Sequence, residues 1–379
     1  MPDIPLRFAI VGCGNISGPY GETSLAYPRV EIVGATDIDR ELSAAFAERF
    51  GGIDYPSLDA LLADPTVDAI VNLTSHGIHA EVTTAALAAG KHVHSEKPMA
   101  GSYAEARGLV ALADALGLRL SCSPITFLGD AQQVAWSLLD DGAIGTVRVV
   151  YAEVNWGRIE TWHPRPEPFY AIGPMADVGV YPLTILTAMF GPARRVTAHG
   201  QIVYPDRFTV SGEPFTVGAP DFGVALIELA DGTIVRLTTS FYIGQQSKQK
   251  GIEFHGDTGS LFMSSWQDFD AEVELAPFGG SYEPVPVPDA FHGVDWARAL
   301  GELADAISEE RPHRAGAAHA AHVVEILDAV ETSVREGGTV EVTSSFIAPP
   351  APTPAAADPS ANGAVAATEI PHKVTPVTR

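Results

Sequence analysis

Residues 8–121 alternate short apolar runs with helix-forming stretches, an order that few folds accept. Phe8-Ala9-Ile10-Val11 is unbroken in apolar character, as a strand buried on both faces requires. Val30 to Thr36, Ala69 to Leu73, His92 to His94 and Leu118 to Ser121 read as further strands. Helical stretches separate them over Arg40 to Phe50, Leu58 to Leu62 and Ala80 to Ala89, the last closed by Gly90. Ser102 and Glu105 form a capping box for one more helix, which ends at Gly117. Strand and helix in turn predict a parallel doubly wound sheet, with ligands beyond the carboxyl ends of its strands.

The first of those ends carries Gly12-Cys13-Gly14-Asn15-Ile16-Ser17. In a dinucleotide site the first glycine makes the tight turn and the second lets pyrophosphate approach the backbone. The next helix then offers its N–H groups to the anion. Ser17 stands where a third glycine is usual, so an ordinary strand-to-helix turn remains a competing reading. The second strand ends on Asp37, about twenty residues on, the expected place for a ribose-binding acid. A carboxylate there accepts from both adenosine-ribose hydroxyls and repels a 2′-phosphate, which favours NAD over NADP despite Arg40 nearby. Alternatively, Asp37 or Asp39 caps the helix from Arg40. Asn72 to His79, with Thr74 among them, and Glu96-Lys97-Pro98 fall on the same edge. Proline after Lys97 favours an extended backbone there, where an ammonium can meet a reacting group. His79 reads equally well as a capping or core residue. Cys13 and Cys122 read as small buried residues, since no spacing suggests an activating base.

Composition limits the partners. The chain has 379 residues, 46% of them hydrophobic, enough for two domains with substantial cores. A formal charge of -24 disfavours nucleic acid and anionic membrane as partners. Two cysteines make no disulfide framework, Met1-Pro2-Asp3 opens no signal peptide, and the apolar runs look too short for a bilayer. A reducing cytoplasm is the expected location, and no metal site is expected.

Four separated segments, in this order, resemble the glucose-fructose oxidoreductase, inositol dehydrogenase and MocA family (Gfo/Idh/MocA). They are Gly12-Cys13-Gly14-Asn15-Ile16, the His79 helix ending in Ala89-Gly90-Lys91-His92-Val93, Glu96-Lys97-Pro98, and Asp177-Val178-Gly179-Val180-Tyr181. The resemblance covers roughly residues 6–345. It implies an N-terminal Rossmann domain (1–124), then an α/β domain (125–345) with a large open, mostly antiparallel sheet. That sheet binds substrate on one face and often a second subunit on the other, giving a homodimer or homotetramer. At the cofactor it implies Gly12, Gly14, Asn15, Ile16, Asp37, Thr74, His79, Glu96 and Lys97. At the chemistry it implies Lys97, Asp177 and Tyr181, with tyrosine where many members have histidine. The glycine-rich run common before this aspartate is reduced to Gly173-Pro174.

The second half supports that architecture on its own residues. Asp221 to Ala230 and Thr233 to Phe241 flank Asp231-Gly232, a hairpin signal, and Gly256-Asp257-Thr258-Gly259 marks another turn. Helices near Gly129 to Asp140, Trp296 to Glu309 and Ala318 to Glu336 are available to cover the sheet, with His322 a packed residue on the last. Residues 346–379 are rich in proline and alanine and read as a disordered tail.

Oxidation of an alcohol needs a hydride carrier, a proton acceptor and a group to stabilise the alkoxide. Nicotinamide is the first. Tyr181 or Lys97 accepts the proton, and the nearby ammonium is expected to lower the tyrosine pKa. Asp177 and Tyr181 read singly as a helix cap and a core residue four positions on. Between Asn155 and Tyr170, aromatic and polar residues suit a sugar ring, with Trp162 and His163 as the substrate contacts chosen. His163 reads as readily as a surface-loop residue. Only Arg158 and Arg165 bring positive charge there, which points to a neutral sugar, cyclitol or glycoside, or a uronate, and away from a phosphorylated substrate. The resulting expectation is an NAD-dependent dehydrogenase acting on a secondary alcohol. Its rivals are a redox-neutral enzyme with recycled cofactor and a nonenzymatic sensor.

Overall fold

The computed structural model describes residues 5–351. Its first domain is built on a six-stranded, all-parallel sheet of β1 (Leu6–Val11), β2 (Val30–Thr36), β3 (Ile53–Asp54), β4 (Ala69–Asn72), β5 (His92–Ser95) and β6 (Leu120–Cys122). The order is β3-β2-β1-β4-β5-β6. Helices α1 (Ser17–Ser24), α2 (Arg40–Phe50), α3 (Leu58–Leu62), α4 (His79–Ala88) and α5 (Tyr103–Leu116) connect the strands. This is the doubly wound arrangement that the alternation predicts, and its strand order reverses between β1 and β4. Ser102 caps α5 by accepting from the Glu105 N–H, the Glu105 carboxylate reaches back to the Gly101 N–H and not to Ser102 as a capping box would, and Gly117 ends the helix in a left-handed conformation.

The second domain holds the expected large, mostly antiparallel sheet. Helix α6 (Asp130–Asp140) leads into β7 (Val147–Asn155), and helices α7 (Glu167–Asp177) and α8 (Val180–Phe190) follow. Then come β8 (Ala193–Gln201), a small hairpin of β9 (Asp206–Phe208) and β10 (Pro214–Thr216), and β11 (Phe222–Leu229) paired with β12 (Ile234–Ser240) around Asp231-Gly232. Strands β13 (Gly251–Gly256), β14 (Gly259–Met263), β15 (Val273–Pro277) and β16 (Glu283–Val285) extend one edge. After helices α9 (Arg298–Ser308) and α10 (Ala317–Glu336), β17 (Thr339–Glu341) closes the other. Only β7 and β12 run parallel in this nine-stranded sheet.

Two helices depart from the expected roles. Helix α9 packs mainly on the first domain, where Leu300 and Leu303 join Phe8, Ile10 and Tyr20 in a core, while Ala299 alone among its residues enters the second core. Helix α10 serves both domains. Ala317, Ala321 and Val324 enter a first-domain core, while Val323, Ile326, Ala329 and Val330 enter the second. An amphipathic pattern shows that a helix has a partner without showing which sheet that partner is. His322 is buried on α10 and accepts from the Ala193 N–H, as a packed residue would.

The segment expected to be disordered opens with residues that pack. Phe346 stacks on His319 at 4.3 Å, and the Pro350 carbonyl accepts from Arg314. Its remainder, 352–379, lies outside the described residues. Against expectation, Glu167–Phe190 is long and apolar enough to cross a bilayer. It is kinked at Gly173, and 72% of its apolar window is buried within the protein, as befits a pair of core helices.

A buried ionic group fixes the start of α7. The fully buried Arg207 donates to Glu160 at 2.8 Å, to the Tyr170 hydroxyl at 2.7 Å, to the Tyr204 carbonyl at 3.0 Å and to Asp221. Removing the cation would leave two buried carboxylates without their partner. Arg207→Met should therefore destabilise the protein by about 3–5 kcal/mol, read from urea denaturation. A loss below about 1 kcal/mol would show that the group contributes little.

Candidate active site

The glycine turn is shaped as a nucleotide site requires. Gly12 adopts φ +93°, and a Cβ there would lie 2.8 Å from the Leu73 carbonyl. A Cβ at Gly14 would meet nothing within 4 Å, so a pyrophosphate can approach the backbone over that residue. Asn15 is exposed and Ile16 half-buried, immediately before α1. No side chain caps that helix, which leaves N–H groups at its start for an anion.

Asp37 and Asp39 have different partners, and Asp37 Oδ1 accepts from the Asp39 N–H at 2.8 Å. Asp39 caps α2 by accepting from the Glu41 N–H at 3.1 Å. Asp37 accepts from the Cys13 N–H of the glycine turn at 2.6 Å, where remaining lone pairs can take ribose hydroxyls. Arg40 is turned away to Asp54 at 2.5 Å and to the Tyr55 carbonyl.

Three expected cofactor ligands have other partners. His79 is buried, and its ring nitrogens face the carbonyls of Pro98 and Thr74, each at 2.9 Å. It joins two loops of the site and has no nitrogen left for a ligand. Glu96 is buried behind Lys97, accepting from the Tyr20 hydroxyl at 2.9 Å and the Lys97 N–H at 3.2 Å. Thr74 donates its hydroxyl to Asn72 at 2.7 Å. These bonds tie the loops around Thr74, Glu96 and Pro98 together, a role the motif alone does not distinguish from ligand contact. Both cysteines are buried, and burial pushes the Cys13 thiol up to about 12, consistent with inert packing residues.

The structure brings Lys97, Asp177 and Tyr181 together from the two domains. Lys97 Nζ donates to Asp177 Oδ1 at 2.7 Å and to the Asp177 carbonyl at 2.5 Å. It also lies 5.4 Å from the centre of the Tyr181 ring. Asp177 ends α7 and does not cap α8, whose N-cap is Gly179. Tyr181 occupies the first turn of α8, and its hydroxyl makes no hydrogen bond to another described residue.

Electrostatics correct one expectation. Burial pushes the Tyr181 phenol up; Lys97 opposes this, but Glu96 and Asp177 add to it, and the net direction is upward. The ammonium is thus outweighed, and tyrosine rests as the neutral phenol. Burial works to lower the Lys97 pKa, but Asp177, with Tyr181 and Glu96, outweighs it and holds the ammonium charged.

Trp162 and His163 are not joined to this centre by a ring contact or hydrogen bond. Trp162 is 54% exposed, and His163 packs edge-on against Trp162 and Phe169 while accepting from the Arg165 N–H. The aromatic group reaching the centre is instead Trp266, 5.1 Å from Tyr181 and 5.5 Å from Trp156. Trp156 and Trp266 line a cavity of about 400 Å³ with Asn155, Gln249, Lys250 and Gln267. Trp266 follows β14 in a polar turn and carries no motif. Half-buried His76 interacts electrostatically with Asp177 and Lys97, and burial followed by His79 lowers its pKa. No cluster of metal-ligating side chains occurs among the described residues.

A glycine turn open to pyrophosphate and a clustered lysine, aspartate and tyrosine are features that a nicotinamide-dependent oxidoreductase needs. The family comparisons make that specific. The model described as "Oxidoreductase family, NAD-binding Rossmann fold" matches residues 6–123, and the GFO/IDH/MocA C-terminal domain matches 133–262. The chain belongs to the Gfo/Idh/MocA family of oxidoreductases. It is 28% identical to dTDP-3,4-didehydro-2,6-dideoxy-alpha-D-glucose 3-reductase of Actinomadura kijaniata, over 88% of this chain and 96% of that one. A solved 3-ketoreductase from the same organism, in complex with TDP-benzene and NADP, has a TM-score of 0.69 at 26% identity, covering 86% of this chain and 97% of that one. An NAD-binding oxidoreductase from Klebsiella pneumoniae shares the fold at TM-score 0.79 and 20% identity, covering 90% and 99%.

Asp177→Asn tests the electrostatic assignment. Without the carboxylate, burial dominates, so the Lys97 pKa should fall by more than a unit, read by NMR of the ε-amine. Lys97 is raised above its ordinary value, so its contribution to stability is complete below pH about 10.4 and is lost as pH rises through the folded pKa. Stability therefore should not change through neutral pH on account of this pair. An unshifted Lys97 in the variant would refute the assignment.

Proposed function

We propose that the chain transfers a hydride between NAD and a secondary alcohol or ketone of a sugar, cyclitol or glycoside. The observation that carries this reading is the bonding of Lys97 to Asp177 with Tyr181 alongside. Bound nicotinamide supplies or takes the hydride. In ketone reduction, the Tyr181 phenol gives its proton to the substrate oxygen as that oxygen gains electrons. Lys97 stays an ammonium, opposes the charge developing on the phenolate, and offers a cationic field to the oxygen. Alcohol oxidation is the same transfer run backwards and starts from the Tyr181 phenolate, formed by first losing the phenolic proton to solvent, so the resting neutral phenol favours the reductive direction. Asp177 holds the ammonium in place.

The relatives support this assignment. The A. kijaniata 3-ketoreductase has been prepared as a lysine-to-alanine and a tyrosine-to-phenylalanine mutant, at positions separated along its chain by the same interval as Lys97 and Tyr181. The relative's named substrate is a keto sugar. Asp37 at the glycine turn and Arg40 tied to Asp54 favour NAD over NADP.

The outer face of the nine-stranded sheet is the proposed contact for a second copy, in a homodimer or homotetramer. Thr197, Leu226, Arg236, Tyr151, Glu253 and Phe262 lie in register across it, and Leu226 is 51% exposed.

The test is absorbance of reduced nicotinamide with a panel of sugars, cyclitols and glycosides, in both directions. Lys97→Ala should lower turnover by about a hundredfold or more while leaving NAD affinity nearly intact. A mild effect would remove Lys97 from the mechanism. Asp37→Ala should weaken NAD binding and reduce its preference over NADP; unchanged selectivity would contradict the ribose contact.

A further inference from the structure

We propose that Arg158 is an oxyanion-reading group at the rim of the substrate cavity, so that the preferred sugar carries a carboxylate or phosphate. The inference rests on the sugar-oxidoreductase reading and adds the charge of the substrate to it. It reverses the expectation that too little positive charge stands here for a phosphorylated ligand.

Acidic residues outnumber lysine and arginine by 47 to 23, so a guanidinium without a carboxylate stands out. Arg158 is half-buried, and its side chain makes no hydrogen bond or ion pair with a described residue. It is held by rings, its Cζ 4.9 Å from the centre of Tyr204 and 4.6 Å from that of Tyr242. A guanidinium stacked on aromatic faces keeps its in-plane N–H groups for a partner. Two parallel N–H donors match a carboxylate or phosphate edge. The hydroxyls of Tyr204 and Tyr242 are likewise without a hydrogen bond to a described residue.

Both tyrosines are tied down at the backbone. The Tyr204 carbonyl accepts from the buried Arg207, and the Tyr242 N–H donates to the Ser240 hydroxyl at 3.0 Å. With both rings against it, the guanidinium has fewer orientations to lose on binding, which lowers the ordering cost.

Its backbone adjoins the cavity that Trp156 and Trp266 line. Trp156, two residues earlier, lines the cavity with Trp266, which touches Tyr181. The Trp156 N–H bonds the Ser240 carbonyl, and a Cβ on Gly157 would lie 3.6 Å from Gly244. The Arg158 and Tyr242 loops thus adjoin as one rim. Lys250, also without a partner among the described residues, lines the same cavity. Arg158 also faces a structural alternative. Across Tyr204 lies the Arg207 group, in which two carboxylates meet one guanidinium, and charge balance there is the competing role that the test separates.

The experiment measures calorimetric binding of methyl glucoside, methyl glucuronide and glucose 1-phosphate to the full chain saturated with NAD. At least one anion should bind on the order of tenfold more tightly than the neutral glycoside. That ratio should fall towards one in Arg158→Gln and recover partly in Arg158→Lys, which restores charge without the planar fork. The anion that binds better identifies carboxylate or phosphate as the group read. In the wild type, added salt should shrink the preference, a readout independent of any variant. Equal binding of all three probes, no binding at millimolar concentration, or a preference that survives in Arg158→Gln would each overturn the proposal. A variant that loses stability while keeping the ratio would show charge balance alone. Binding needs no turnover, so failure of hydride transfer with an intact anion preference would count only against the oxidoreductase reading.

Discussion

The buried pair of Lys97 and Asp177 joins the two domains at the point where the chemistry is assigned. Its side chains are 14% and 11% exposed, so neither charge is well hydrated and each depends on the other. Burial alone would favour a neutral amine; the carboxylate, with Tyr181 and Glu96 near it, keeps the ammonium. Much of the surrounding structure serves to hold this contact. The β5 end and Glu96 place Lys97, α7 delivers Asp177, and α10 packs into cores of both domains.

The resting protonation states follow from the same pair. A lysine held charged cannot receive a proton, and a buried phenol kept protonated can give one. Tyr181 and Lys97 look interchangeable as bases when only their types and order are known. Their surroundings separate them: burial keeps the Tyr181 phenol neutral, and Asp177 keeps the Lys97 ammonium charged.

The first domain was largely legible because strands buried on both faces appear as unbroken apolar runs, and glycine turns mark their ends. The two-residue strand Ile53–Asp54 is too short to leave a pattern. Lys97 and Asp177 are 80 residues apart, and only the ordered set of family segments connected them. The direction of the Tyr181 shift was not legible, since burial outweighs a neighbour that sequence can name. Trp162 and His163 were chosen for their residue types, but Trp266, from a distant turn, is the ring that meets Tyr181. The helix at Trp296 to Glu309 had the right pattern and a different partner, because periodicity does not encode which sheet a helix covers.

A crystal structure of the NAD complex would test the central assignment most directly. The account predicts pyrophosphate over Gly14, the adenosine ribose on Asp37, and the nicotinamide facing Lys97 and the Tyr181 hydroxyl. A nicotinamide bound away from Lys97, with Tyr181 out of reach of a substrate beside it, would contradict the account and leave the buried pair as a structural link between domains.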